Sequence, residues 1–439
     1  TWADVAAASQ PDAPEPQRPR MHATPDAAPR TDDGANGGLD VETIEREAAR
    51  YAPGPFGYLL WVEARLASRG FHAMSLWWRE SLRAFYDSGK PWGLWCVGRG
   101  AGKALAIDTP IATPSGWSTM GDLAVGDVVF DERGIPCRVL ASTGPMLGHE
   151  CYVVEFSDGH VITADAEHLW KTITRRDKRR ASYRATDRVG RIARDMTDLD
   201  AGGSIRTTRE IADTLTVHAK SERNHAVPVC GALRLPDALL PVDPYTLGVW
   251  LGDGTSANGA ITVPDQEIVD RIRSHGREVT QCGAHLRWNI VGLNRELRLL
   301  GLKNAKRIPP EYLRASFSQR LELFRGLMDT DGTCTLRGAC NYDTITPELR
   351  DGFWELATSL GIKTRPMARD AKLDGRVICT SWRFTFNTDL DVFTVPRKRD
   401  RLRPIQRCAG RRYIVAARRA PSVPVACIAV DSPTKMFLA

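Results

Sequence analysis

The sequence lacks several features that would assign the protein to a membrane or an oxidising compartment. No apolar run approaches the roughly 20 residues that cross a bilayer, and no apolar signal-peptide core stands near the beginning. The 10 cysteines include no Cys-x-x-Cys pair and no Cys/His cluster, so neither a structural zinc site nor a disulfide framework is indicated. We therefore expect a cytoplasmic protein with no membrane partner.

The overall composition is that of an ordinary globular protein with a slight excess of basic residues. Hydrophobic residues make up 42%, charged residues 26%, and the net charge is +7, which permits nucleic-acid binding without requiring it. The length of 439 residues predicts roughly three domains. Residues 1–40 are rich in Ala, Pro, Asp and Gly, so we expect a disordered tail. Helical periodicity follows from residue 41 onward.

A phosphate-binding loop ends this first part but is incomplete. Gly98, Gly100, Gly102 and Lys103 follow a short apolar strand, as in loops whose backbone N–H groups and lysine bind the phosphates of ATP. The next residue should be Ser or Thr, yet Ala104 stands there, and β-forming and turn residues follow instead of a helix. The sequence therefore predicts that a separate element is inserted after Lys103.

The stretch from Cys96 to Lys103, with helices before it, resembles the start of the ATPase domain of a phage terminase large subunit, the DNA-packaging motor. This resemblance implies ATP as the cofactor of the flanking ATPase once the loop is restored. Val97 departs from the usual pattern, which has Gly at that position. A Gly-rich turn in an unrelated domain is the alternative interpretation.

Short β segments with Gly-containing turns follow Ala104 and predict a compact all-β module. Three stretches, 104–111, 159–170 and 423–439, resemble the splicing blocks of inteins. They resemble the class that lacks a nucleophile at its first residue and carries a Trp and a Cys in later blocks. This resemblance implies a Hedgehog/intein (HINT) horseshoe formed by both ends of the insertion.

The resemblance also implies the roles of individual residues. Ala104 has no side-chain nucleophile, so Cys427 would attack the carbonyl of Lys103 as a thiolate. His168 would protonate the departing nitrogen of Ala104, and Trp170 would shape the pocket around the cysteine. No cofactor is needed. Because the sequence stops at Ala439, before the terminal His-Asn of an intein, we expect a second chain or a downstream segment to supply that end.

A doubled motif lies in the middle of the insertion. Residues 247–254 and 324–332 each read as a short apolar helix with small residues four apart, ended by Asp-Gly. Small residues at this spacing allow two helices to pack backbone to backbone. These residues are Gly248, Gly252, Gly326 and Thr330. The arrangement predicts that Asp253 and Asp331 meet at one seam.

Two carboxylates at one seam suit Mg²⁺-dependent phosphodiester cleavage. A Ca²⁺-binding EF-hand loop is excluded, because Cys340 stands where that loop requires Glu. The pair of motifs resembles LAGLIDADG (DOD-type) homing endonucleases, which implies an α/β domain with pseudo-twofold symmetry and double-stranded DNA as partner. Lys306 matches the lysine block of that family and would stabilise charge at the cleaved phosphate. We expect an active nuclease.

We therefore expect an α+β multidomain protein, namely an intein with an embedded endonuclease in the phosphate loop of a terminase-like ATPase. Basic residues in 171–194 and 396–403 are interpreted either as DNA contacts or as solvated surface. The expected segments are a tail (1–40), a terminase-like flank (41–103), the first splicing part (104–175), a basic linker (176–240), the endonuclease (241–370), and a return segment with the second splicing part (371–439).

Two alternatives come from other classes of protein. One is a continuous P-loop ATPase with an accessory, non-catalytic DNA-binding domain, which requires further ATPase motifs after Lys103. The other is a free-standing homing endonuclease with degenerate flanks.

Overall fold

A computed structural model describes residues 104–177, 203–217, 222–283, 285–373, 376–404 and 410–439. All of them belong to the compact unit Cys96–Ala439, one of two units into which the chain divides. The predicted tail, the predicted flank and the residues of the phosphate loop lie outside the described residues. The described residues form a mixed α/β structure. None of the helices in those ranges has the length and apolar character needed to cross a membrane.

The first module is formed by β segments from both ends of the described chain. Its N-terminal strands are β1 (Leu105–Ala106), β2 (Pro110–Thr113), β3 (Gly116–Thr119), β4 (Val128–Phe130), β5 (Pro136–Ser142), β6 (Cys151–Phe156), β7 (Val161–Asp165) and β8 (Leu169–Thr172). The following elements are β9 (Ser204–Thr207), α1 (Thr208–Asp213), β10 (Thr216–Val217), β11 (Glu222–Arg223) and β12 (Ala226–Pro228). The second module separates them from the C-terminal strands. These are β20 (Arg411–Ala420), β21 (Val425–Ala426) and β22 (Ile428–Val430).

The largest sheet of this module has six strands in the order β12-β20-β6-β7-β1-β21. A second sheet has the order β22-β5-β4, and β2-β3, β8-β9 and β10-β11 form pairs. Alternating burial along β6 shows that one face packs on the core, as expected for an antiparallel sheet. Strands from the two ends of the described chain therefore share one sheet.

Residues 203–228 differ from their predicted role as part of a linker over 176–240. Strand β9 pairs with β8, and β12 pairs with β20, so both extend the β module. Helix α1 starts with a capping box between Thr207 and Glu210, and buries Ile211 against the same module. Strand pairing between residues that are far apart in sequence is not visible in local patterns. Residues 178–202, with most of the basic stretch, lie outside the described residues.

The second module combines helices with two small antiparallel sheets. Its first half contains α2 (Pro244–Asp253), β13 (Ala260–Thr262), α3 (Gln266–Ser274), β14 (Val279–Gln281), β15 (Arg287–Ile290), α4 (Leu293–Leu299) and α5 (Pro310–Leu313). Its second half contains α6 (Phe317–Thr330), β16 (Gly332–Cys334), β17 (Cys340–Thr344), α7 (Pro347–Ser359), β18 (Pro366–Leu373), β19 (Arg376–Phe386) and α8 (Pro396–Arg399). The sheet orders are β13-β15-β14 and β16-β17-β19-β18.

This α/β module continues beyond residue 370, where the sequence analysis ended it. Val392, Phe393 and Val395 are fully buried in the same hydrophobic core as α2 and α6. The return to the β module therefore begins only with β20. Local sequence does not reveal this boundary, because it depends on which core the apolar residues join.

Helices α2 and α6 meet along a seam of small residues, in agreement with the predicted packing. A Cβ added to Gly248 would lie 2.3 Å from the carbonyl oxygen of Leu323, and one added to Gly326 would lie 2.4 Å from that of Tyr245. Real Cβ atoms do not approach a carbonyl this closely. Glycine at both positions is therefore what allows the two backbones to touch.

We predict that Gly248→Ala lowers the free energy of unfolding by about 3 kcal/mol, because the added methyl group forces the helices apart. Gly352→Ala is the matched control. It also lies in a helix, but its Cβ would be 3.1 Å from Cβ of Ile308, so a displacement of a few tenths of an ångström is enough to accommodate it. Denaturant unfolding followed by circular dichroism checks both variants. Equal stability of the two variants would contradict the backbone-to-backbone seam.

Candidate functional sites

The first candidate site lies where the two ends of the β module pair. Strand β1 lies between β7 and β21, with Leu105 opposite Ala426 and Ala106 opposite Val425. Ala104 directly precedes β1, and Cys427 directly follows β21. Ala104 is buried, and Cys427 packs against the small apolar cluster to which Ala104 belongs. The fold thus brings together two predicted site residues that are more than 300 positions apart.

Strand β7 and the turn after it add the predicted histidine to this region. The backbone N–H of Asp165 donates to the carbonyl of Ala104 at 3.0 Å, and the N–H of His168 donates to the carbonyl of Asp165 at 3.0 Å. The His168 ring is buried and meets the Trp170 ring edge-on, with centroids 4.7 Å apart. Ala104, His168 and Trp170 therefore belong to one connected region.

Thr208 of α1 is a contributor that the sequence analysis did not identify. Its hydroxyl accepts from Nε1 of Trp170 at 2.9 Å, and its N–H donates to the carbonyl of His168 at 2.9 Å. One residue thereby fixes the Trp170 side chain and the His168 backbone. Thr208 is the first helical residue after a capping box, which indicates a helix start but not this contact.

Thr143 similarly fixes the backbone of the predicted nucleophile. The N–H of Cys427 donates to the Thr143 hydroxyl at 3.0 Å, and the Thr143 N–H donates to the Cys427 carbonyl at 3.0 Å. The thiol itself is only half-buried. A cysteine at this position can act as a nucleophile, because a thiolate attacks carbonyl carbon readily.

The second candidate site lies at the C-terminal ends of α2 and α6. Asp253 is the last residue of α2, and Asp331 follows α6 directly. A Cβ added to Gly252 would lie 3.4 Å from Oδ2 of Asp331, so the two ends are adjacent. Burial raises the pKa of Asp253, and burial together with the charge of Asp253 raises the pKa of Asp331 to about 6. The seam therefore disfavours two charged carboxylates.

Lys306 lies beside these carboxylates, as the sequence analysis predicted. Its Nζ donates to the carbonyl of Gly252 at 2.9 Å and lies 5.2 Å from the centroid of the Trp250 ring. Burial lowers the pKa of this ammonium, while the nearby charges of Asp331 and Asp253 oppose that decrease.

Lys398 is a second lysine at this site, and the sequence analysis assigned it only to a basic run. Its side chain is buried, and its Nζ donates to the carbonyls of Met328, Asp329 and Thr330 at 3.1, 2.6 and 3.0 Å. It is therefore neither solvated surface nor an exposed DNA contact. No local signal distinguishes it from its basic neighbours, because only the fold returns α8 to the end of α6.

The donor set at the seam fits Mg²⁺. Burial raises the pKa of both carboxylates, and the charge of Asp253 raises that of Asp331 further, so a divalent cation would stabilise both as anions. Mg²⁺ commonly uses one or two protein carboxylates and completes its shell with water and phosphate oxygens. Within the described ranges, no group of three or more His, Cys, Asp or Glu residues could hold a metal ion. The protein would thus contribute Asp253 and Asp331.

Comparison with known proteins identifies two curated relatives. The chain is 41% identical over 346 residues to a protein named replicative DNA helicase DnaB of Mycobacterium intracellulare, covering 77% of this chain and 57% of the relative. It is 59% identical over 73 residues to the protein of the same name from Mycobacterium leprae (strain TN), covering 17% and 12%. The chain thus spans less than two thirds of either relative. No protein-family profile matches it.

Solved structures give partial matches. An Msm DnaB1 intein splicing domain bound with zinc is 63% identical, covering 16% of this chain and 54% of that one, with a TM-score of 0.15. An MchDnaB-1 intein is 41% identical, covering 26% and 63%, with a TM-score of 0.17. A variant of the homing endonuclease I-DmoI is 13% identical, covering 36% and 91%, with a TM-score of 0.24.

These comparisons do not support the predicted terminase-like host. Both curated relatives are named as DNA helicases, not as DNA-packaging ATPases. The prediction relied on eight residues, from Cys96 to Lys103, and a Gly-Lys loop is shared by many classes of ATPase. These residues, including Gly98, Gly100 and Gly102, lie outside the described part of the chain.

We predict that Asp331→Asn raises the melting temperature by a few degrees at pH 7–8 in the presence of EDTA. The folded protein holds the Asp331 proton up to about pH 6, above the ordinary value of 3.8, so folding loses stability as pH rises through this interval. The variant avoids that loss, and its advantage should shrink toward pH 4. Glu278→Gln, at an exposed carboxylate, should change the melting temperature neither at pH 7–8 nor near pH 4. A destabilised Asp331→Asn at pH 7–8 would contradict the assigned repulsion.

Proposed function

We propose that this chain carries an intein that excises itself from a host protein, and that a LAGLIDADG (DOD-type) homing endonuclease is embedded in it. The packing of Cys427 against the apolar cluster that contains Ala104, next to the β1–β21 pair, is the main observation in favour of splicing. The predicted HINT horseshoe and the pseudo-twofold symmetry of the nuclease belong to this proposal. The 41% identity to a DnaB relative over 77% of the chain agrees with a shared insertion.

The first chemical step follows from the residues at the β1–β21 junction. The Cys427 thiol loses its proton to solvent. The resulting thiolate attacks the Lys103 carbonyl carbon, and the bond from that carbon to the Ala104 nitrogen breaks. The product is a thioester that joins the Lys103 acyl group to Cys427 Sγ. His168 donates a proton to the leaving nitrogen, so the amine departs neutral. A hydroxyl after the insertion would then accept the acyl group.

The arrangement around the junction supports these roles. The Asp165 N–H donates to the Ala104 carbonyl. This hydrogen bond holds in place the residue whose nitrogen is the leaving group. Thr208 holds the Trp170 side chain and the His168 backbone, and the Trp170 ring meets the His168 ring edge-on. The Thr143 hydroxyl accepts from the backbone N–H of Cys427 and so holds the backbone of the nucleophile. Orientation of this kind is a large part of how enzymes accelerate reactions.

The nuclease would act on double-stranded DNA at the α2–α6 seam. Asp253 and Asp331 would hold Mg²⁺, which when bound polarises the phosphate and lowers the pKa of bound water. Lys306 and Lys398 place two ammonium groups beside the carboxylates, where they can stabilise negative charge developing on the phosphodiester.

The host is proposed to be a DNA-dependent ATPase whose ATP-binding loop resumes after excision. The names of both relatives favour a replicative helicase over a packaging motor. The alternative of a continuous ATPase is disfavoured by the strands after Lys103. Every strand pair in the described part of the chain is antiparallel, whereas a nucleotide-binding sheet of that class is built on parallel strands.

We predict that dithiothreitol or hydroxylamine cleaves the chain between Lys103 and Ala104, because both reagents intercept a thioester on Cys427. Cys427→Ala should abolish this cleavage. Cys379→Ala, a half-buried cysteine of the nuclease module, should cleave like the unmodified chain. Gel electrophoresis and mass spectrometry of the fragments measure the outcome. Cleavage that survives in Cys427→Ala would refute the assigned nucleophile.

We predict that Asp253→Asn lowers DNA cleavage at least about 100-fold, because removing a charge-stabilising group from an active site commonly costs that much. Thiol-induced cleavage at Ala104 should be unchanged, since the two sites lie on different modules. Asp270→Asn, at an exposed carboxylate of α3, is the control. The measurement is linearisation of a plasmid that carries the uninterrupted host gene. Full cleavage by Asp253→Asn would exclude this carboxylate from the reaction.

A further inference from the structure

Asp329 is a buried carboxylate beside the nuclease seam that has no role in the steps above. It lies on α6, two residues before Asp331, and is 1% exposed. Leu251 occupies the same place in the other motif, two residues before Asp253, and is equally buried. One copy of the motif thus carries a charge where the other carries a hydrocarbon. Burying a charge is unfavourable unless it is paired or hydrogen-bonded, so this difference needs an explanation.

The carboxylate of Asp329 accepts four hydrogen bonds. Its Oδ1 accepts from the backbone N–H groups of Thr394 and Val395 at 2.9 and 3.2 Å. Its Oδ2 accepts from the Tyr245 hydroxyl at 2.9 Å and from the Thr394 hydroxyl. These donors come from α2 and from the segment that leads into α8. The carboxylate is therefore a clamp between the seam and that segment.

The clamped segment carries Lys398. Val395 is the N-cap of α8, and Lys398 lies three residues later. Its Nζ donates to the carbonyl of Asp329 itself and to the carbonyls of Met328 and Thr330. Asp329 therefore binds α8 twice, through its side chain at the start of the helix and through its carbonyl at Lys398.

We propose that Asp329 is a positioning residue that holds Lys398 at the nuclease site, an inference that rests on the proposed nuclease function. The connection from the end of β19 at Phe386 to α8 has no regular secondary structure. Such a connection needs a fixed anchor to hold a buried ammonium in one place. The first half has a different anchor, because Lys306 is followed closely by buried Ile308 and by α5. A hydrocarbon is therefore sufficient at Leu251.

The first test is a double-mutant cycle on DNA cleavage by the full chain. Asp329→Leu, which copies the residue of the other motif, should lower kcat about 10- to 100-fold and leave the Kd for DNA unchanged, as is typical of groups that orient a reacting residue. Lys398→Met should cause a comparable loss. In the Lys398→Met background, Asp329→Leu should cause no further loss, because both changes remove the same group. Losses that multiply would overturn the proposal.

The second test does not require nuclease activity. An amine-acetylating reagent followed by peptide mass spectrometry measures the accessibility of each lysine in the folded chain. Lys398 should be protected in the unmodified protein and labelled at least about 10-fold faster in Asp329→Leu, in line with the loss of its anchor. Labelling of Lys306 should not change. Continued protection of Lys398 would refute the positioning role even if the chain does not cleave DNA.

Asp329→Asn covers the case in which Asp329→Leu does not fold. The amide keeps an oxygen that can accept from the two backbone N–H groups, so this variant should give intermediate labelling of Lys398 and an intermediate kcat. Labelling equal to that of the unmodified protein, together with unchanged kcat, would show that shape alone suffices and that the charge has no positioning role. A chain that cleaves no DNA but shows the expected labelling would refute only the nuclease function.

Discussion

The antiparallel pairing of β1 with β7 and β21 is the interaction on which the rest of the first module depends. β1 has two residues, yet it joins the beginning of the described chain to its C-terminal strands. This pairing brings Ala104 and Cys427 into the same small apolar cluster. The entropy cost of closing such a long loop grows only slowly, by about 0.6 kcal/mol per doubling of its length. A whole module between the two ends therefore adds little to that cost.

Strand pairing also explains how the α/β module is accommodated. The chain leaves the β module at β12 and returns at β20, and these strands are paired directly, with Ala226 opposite Tyr413. The insertion therefore starts and ends at neighbouring points of one sheet. Several contacts then join the modules. The Trp117 Nε1 donates to Glu355 at 3.0 Å, the Arg314 guanidinium lies 5.8 Å from the centroid of the Trp117 ring, and His160 stacks on Trp354.

The nuclease seam combines close helix packing with unfavourable electrostatics. Glycines allow the helix backbones to touch, and this brings two helix C-termini, which carry partial negative charge, together with two carboxylates. Burial raises the pKa of both Asp253 and Asp331, and the charge of Asp253 raises that of Asp331 further. Lys306 and Lys398 each donate to the terminal carbonyls of one helix and offset part of this charge. A site arranged in this way attracts a cation and a phosphate.

The sequence by itself determined the features that depend on residue type and short spacing. These include the small residues of the seam, the placement of Asp253 and Asp331 at helix ends, and the short β segments after Ala104. It did not determine the host, since the short Gly-Lys loop suits many ATPases. Only the tertiary structure decided that residues 203–217 and 222–228 extend the β module, that Thr208 holds Trp170, and that Lys398 reaches the seam. These contacts join residues far apart in sequence, and such pairings depend on the completed core, which leaves no periodic or local pattern to recognise.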